Sequence, residues 1–263
     1  MTNVSENKNK ILKDFSLLCE ESKLWYSLDN ESLLLAITSK NPENLIDHYD
    51  VMMTYDSYEI LKSKYPDNII DNTKHSEYGS LQCKFVYNST NIFEESPFIN
   101  INFILPTKIK KVKNFISLKN KAKSFAWHYS TYNSTNVRKI KNKINIAKLL
   151  KLSCNKLIYK DLINSLYDEE FEGYIVTDTF VNKHMIHKWI PNITYKRKTI
   201  MFQDMEIKIL NEYDIYLNNL FGPNYNQIDL KRPILEHKNM IELWNTNLLE
   251  KVFEEPSEIK IEE

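Results

Sequence analysis

The chain has 263 residues, 42% of them apolar and 27% charged, long enough to bury a core and too apolar for wholesale disorder. Its formal net charge of +0 gives no bulk electrostatic pull toward nucleic acid or an anionic membrane. Only three glycines occur, Gly79, Gly173 and Gly222. A Walker loop or a dinucleotide fingerprint needs several within a few residues, so P-loop NTPases, protein kinases and Rossmann dehydrogenases are excluded.

In chain order, Ile11, Phe15, Leu18 and Cys19 share one face and predict a helix over 11–21. Residues 24–28 are short, aromatic and apolar and predict a strand. SLLLAIT (32–38) predicts a helix capped near Asn30 or Ser32 and broken by Asn41 and Pro42. YDVMM (49–53) predicts a buried strand, and 57–64 a helix stopped before Pro66. LQCKFVY (81–87) alternates as a strand does, and FININFIL (98–105) predicts another strand, ended by Pro106. Residues 108–123 are rich in lysine, which reads as a solvated helix or loop face, or as a patch that meets phosphates. A helical pattern over 142–166 follows, then a strand over 174–180. Trp189, Pro191, Phe202 and the alternation Met205, Ile207, Ile209 indicate more extended structure. Residues 213–221 predict a short helix ended by Gly222 and Pro223, and 256–263 form a charged, frayed tail.

Cys19, Cys83 and Cys154 are odd in number and widely spaced, which indicates reduced thiols rather than disulfides or a zinc site. His184 and His187, three apart, read as capping or partly exposed histidines. No run approaches the roughly 20 apolar residues of a membrane helix, and residues 1–10 carry no apolar signal region. A cytoplasmic chain is expected, with peripheral membrane contact left open and nucleic acid excluded as a partner for want of a motif or a basic overall charge.

Several segments, in order, resemble the LicD family of phosphorylcholine and ribitol-phosphate transferases. FQDMEIKILNEYDIYLNNLFGPNY (202–225) resembles a family pattern of F-E-G, a short strand ending in Pro, then Y-x-x-Y-L-x-x-x-Y-G-x-x-Y; Gln203, Asp204 and Leu210 stand where that pattern has Glu, Gly and Pro. Arg232 and His237 match its terminal basic residues. YSLDNESLLLAITSK (26–40) is similar to Y-x-L-x-G-G-T-L-L-G-A-x-R-x-K, and NLIDHYDVMM (44–53) to P-W-D-D-D-I-D-V-M-M. KFVYNST (84–90) and INFILPT (101–107) are similar to K-x-x-D-x-x-T and I-D-I-F-P-L-D.

The resemblance implies an α+β fold with a small, mixed, nucleotidyltransferase-like sheet flanked by helices and a more helical C-terminal half. Residues 1–107 would form the core, 108–255 the C-terminal part of the same domain and 256–263 the tail. It implies transfer of a phospho-group, such as phosphorylcholine, from a nucleotide-diphosphate donor such as CDP-choline to a cell-surface glycan. Mg²⁺ would neutralise charge at the transition state, held by a D-x-D pair whose carboxylates share a strand face. By the same resemblance Asp50, Asp47 and His48 are the catalytic candidates, Asp50, His48 and Asn102 the metal ligands, and Ser32, Lys84 and Arg232 the substrate-binding residues. The D-x-D pair reads His48-Tyr49-Asp50 and the third acid reads Asn102, so one formal charge remains where the pattern has three. Mg²⁺ favours hard anionic oxygen in a rigid octahedron. The alternative is therefore a catalytically inactive LicD-like protein that binds a glycan, a nucleotide or a protein partner.

Overall fold

The computed structural model describes residues 2–228, apart from residues 39, 41–45, 47, 77, 91–96, 128–136 and 192–193. Asp47, Arg232, His237 and the charged tail lie outside the described residues, as do Asn41 and Pro42. In order, the elements are α1 (Thr2–Glu21), β1 (Tyr26–Leu28), α2 (Asn30–Thr38), β2 (Tyr49–Met53), α3 (Tyr55–Lys64), β3 (Ile69–Ile70), β4 (Cys83–Val86) and β5 (Phe98–Thr107). There follow α4 (Ile109–Phe115), α5 (Leu118–Trp127), α6 (Val137–Lys151), α7 (Tyr159–Leu166), β6 (Gly173–Val176), β7 (Trp189–Pro191), β8 (Arg197–Phe202), β9 (Met205–Leu210) and α8 (Tyr213–Phe221). A 3-10 segment, Lys183–Lys188, leads into β7.

The result is an α+β architecture, a mixed sheet flanked by helices. Five strands run in the order β1-β2-β5-β4-β3, with β6 pairing with β5 and β7 with β6. Only β2 and β5 are parallel, with Asp50 opposite Asn100 and Met52 opposite Asn102. β8 and β9 form a separate hairpin.

Side chains alternate across a strand, so the register sorts the residues into two faces. Tyr49, Val51, Met53, Ile99, Ile101, Phe103, Cys83 and Phe85 lie on one face, all nearly or wholly buried. α1, α3 and α7 cover it: Phe15 sets its ring edge-on to Tyr26 and Phe85, and Phe103 packs against Tyr58 and Tyr159. The other face carries Asp50, Asn100, Asn102 and Lys84, all but Asp50 fully buried. Polar groups withdrawn from water cost several kcal/mol unless partnered, so this face is where the chain spends stability on something other than packing.

β5 does not stop before Pro106; it runs through it to Thr107. The bond from Thr177 N–H to Phe103 O and the register put Pro106 opposite Tyr174, at a non-hydrogen-bonded position of the β5–β6 pair. β2 has already ended at Met53, opposite Phe103, so the missing N–H breaks no ladder. The helical pattern over 142–166 is two helices, interrupted at 152–158, and the strand expected over 174–180 is confined to 173–176. Gly173 is required where β6 meets β7: a Cβ there would lie 2.3 Å from the Ile190 carbonyl oxygen.

Candidate functional site

Asp50 is the second residue of β2 and Asn102 lies beside that strand on β5, so the register brings them to one face. They meet through a third residue. Gln82 Nε2 donates to Asp50 Oδ1 at 3.3 Å and to Asn102 Oδ1 at 3.1 Å. Gln82 Oε1 accepts from Thr179 Oγ1 at 3.1 Å. Asn102 Nδ2 then donates to Asp29 Oδ2 at 2.7 Å.

Asp29 sits between β1 and α2. Its N–H donates to Asp50 O, extending the β1–β2 pairing, and its carbonyl accepts Leu33 N–H, which starts the helix. Its carboxylate accepts from Asn30 N–H at 2.7 Å and from the Tyr216 hydroxyl of α8. It is wholly buried, and that burial raises its pKa, opposed by the Lys188 charge and reinforced by Asp50.

Lys188 is a buried cation of this cluster, with Nζ 3.7 Å from Asp178 Oδ1 and bonded to Thr177 O at 3.4 Å. Burial alone would lower its pKa. The charges of Asp178, Asp29 and Asp50 outweigh that and raise it. Asp50 shows the reverse balance: burial pushes its pKa up, but the charge and hydrogen bond of His48, with Lys188 and Asn100, hold it down.

His48 Nε2 lies 3.6 Å from Asp50 Oδ1, and its ring stacks on Phe98 at 4.9 Å. Lys84 Nζ sits over the same Phe98 ring, 3.6 Å from its centroid. The structure thus brings Asp50, His48, Asn102 and Lys84 together around the β2–β5–β4 surface. Ser32 is different: its hydroxyl accepts Asp50 N–H at 2.8 Å and pins α2 to β2, a positioning role. Asn100 Oδ1 is buried with no hydrogen-bond partner among the described residues.

The proposed ion ligands do not fit Mg²⁺. Asn102 Oδ1 accepts from Gln82 and its amide nitrogen donates to Asp29, while His48 Nε2 lies 3.6 Å from Asp50 Oδ1, so an ion would have to displace these contacts. Among the described residues no group of three or more His, Cys, Asp or Glu is arranged to hold an ion. Asp29, Gln82, Asp178, Thr179 and Lys188 were missed in the sequence. Only Asp29 left a signal there, as a helix-capping residue before α2.

An open cavity of about 630 Å³ lies elsewhere, lined by Trp25, Tyr55, Asp56, Pro106, Tyr167 and Tyr195 among others and by none of the residues above. No helix among the described residues is long and apolar enough to cross a membrane. Comparison with family models, with curated proteins and with solved structures finds no match.

Proposed function

We propose that this chain is a LicD-like protein that keeps the polar sheet face to bind a ligand, a phosphorylated nucleotide or a glycan, without metal-assisted phosphotransfer. One observation carries the reading: a lysine ammonium, Lys188, lies buried among Asp29, Asp50 and Asp178, where it supplies from within the chain the positive charge those carboxylates need. An ion would have to compete with that ammonium and with the amides of Gln82 and Asn102.

Backbone conformation supports the LicD-like reading independently of the acids. Asn30, Asp204 and Gly222 stand where the family pattern has glycine, and their φ values are +48°, +58° and +90°. Asn and Asp are the residues that tolerate this left-handed region best after glycine. Asn30 and Asp204 thus hold a conformation that glycine adopts freely. Asn100 Oδ1, buried beside Asp50 with no partner among the described residues, is a hydrogen-bond acceptor that a ligand could engage.

Titration calorimetry of the full chain with CTP and CDP-choline, each with and without Mg²⁺ or Mn²⁺, tests this. We expect binding that does not depend on the divalent ion, and no release of CMP from CDP-choline in the presence of a glycan acceptor. Metal-dependent nucleotide binding abolished by Asp50→Ala, accompanied by CMP release, would overturn it in favour of an active transferase. Lys188→Met should cost roughly 3–5 kcal/mol in urea unfolding, because it strands buried carboxylates. A loss below about 1 kcal/mol would show that the ammonium is not their counter-charge.

A further inference from the structure

A chain of zero net charge need not be evenly charged. Residues 108–151 hold thirteen Lys or Arg and no Asp or Glu. α4, α5 and α6 lie in this segment, with α5 and α6 packed on one another. Lys108 and Lys111 are paired with Asp168 and Glu170 from beyond the segment. Lys110, Lys113, Lys119 and Lys148 are exposed.

The same helices leave large aliphatic side chains in solvent. Leu118 is 83% exposed, Ile146 54%, Leu149 69% and Leu152 86%. Ile146, Leu149 and Leu152 recur every third residue, so they share the outward side of α6 and the residue just after it. Ala147 is the fully buried position on that turn. Bulky aliphatics in water beside an acid-free cationic stretch satisfy both requirements of interfacial docking: apolar area to insert and positive charge to meet lipid headgroups.

We propose that the α5–α6 pair, with α4, is a docking surface for an anionic lipid bilayer, which it meets peripherally. Charge complementarity selects this occupant. A second copy of the chain would set one acid-free cationic segment against another. A nucleic acid would satisfy the lysines but give Leu149 and Leu152 nothing to contact. The proposal holds whether or not the polar sheet face is catalytic.

Vesicle co-sedimentation of the full chain tests it, with phosphatidylcholine vesicles and with vesicles that also contain phosphatidylserine. We expect binding to the anionic vesicles only, lost at high salt. Two variants separate the contributions, both checked for folding by circular dichroism and thermal unfolding: L149E/L152E, and K113E/K119E/K148E. Each should weaken anionic-vesicle binding about tenfold or more. The proposal is overturned if the folded wild-type chain ignores anionic vesicles, or if L149E/L152E binds them as the wild type does. It is also overturned if an RNA or DNA duplex is bound through the lysines more tightly than the vesicles and indifferently to L149E/L152E.

Discussion

Asp71 is wholly buried, yet its pKa is lowered to about 2. Burial alone would raise it. Lys62 Nζ at 2.6 Å, the Thr73 and Tyr58 hydroxyls and the Lys74 N–H together outweigh burial. A folded-state value below the unfolded one of about 3.9 gives stability that is present above about pH 4 and lost as pH falls toward 2. We expect Asp71→Asn to lose about 2 kcal/mol at neutral pH and to flatten that acid limb, read by urea unfolding at several pH values. An unchanged acid limb would remove Asp71 from the account. At this scale the sequence was uneven. Asp50 and Asn102 were named through the family resemblance, and the β2–β5 register is what brings them to one face. Asp71, Lys188 and Gln82 could not be singled out, since each owes its partners to a different part of the chain. Cys19 and Cys83 are buried with raised pKa values, set first by burial, in keeping with structural thiols.

The β8–β9 hairpin shows what an element adds. Its turn residues, Gln203 and Asp204, have φ of +51° and +58°, the pair of left-handed conformations of a type I′ turn. Gln suits that region poorly, whereas Asn-Gly is the favoured pair. We expect Q203N/D204G to raise stability by roughly 1 kcal/mol, measured by thermal unfolding, while leaving the sheet register unchanged. No gain would mean that the turn is held by contacts rather than by its own preference. The alternation of Met205, Ile207 and Ile209 made the strand legible; the two positive φ angles were not, because Asp204 is a turn residue but Gln203 beside it is not. α3 was legible to its end, with Thr54 as its cap and Pro66 beyond its last turn. Pro106 misled, since its effect depends on which side of β5 has a neighbour.

Across the whole molecule, the two halves of the chain share one sheet and one polar cluster. β6 extends β5, Leu210 N–H donates to Ser27 Oγ, Arg197 donates to Leu24 O and Tyr26 O, and Tyr216 reaches Asp29. We expect a fragment ending at residue 107 to fail to fold, seen as lost near-ultraviolet dichroism and rapid proteolysis; a cooperative unfolding transition from that fragment would contradict it. The amino-acid sequence by itself determined the mixed α+β class, most helices and strands, and which residues alternate on each strand. These depend on periodicity and on interactions between residues close in the chain. Tertiary structure alone decided that β2 and β5 are parallel neighbours, that Asp29 and Lys188 complete the cluster, and that aliphatics of α6 face outward. Those outcomes depend on which surfaces meet after long loops close, and residues more than a hundred apart carry no local mark of their encounter.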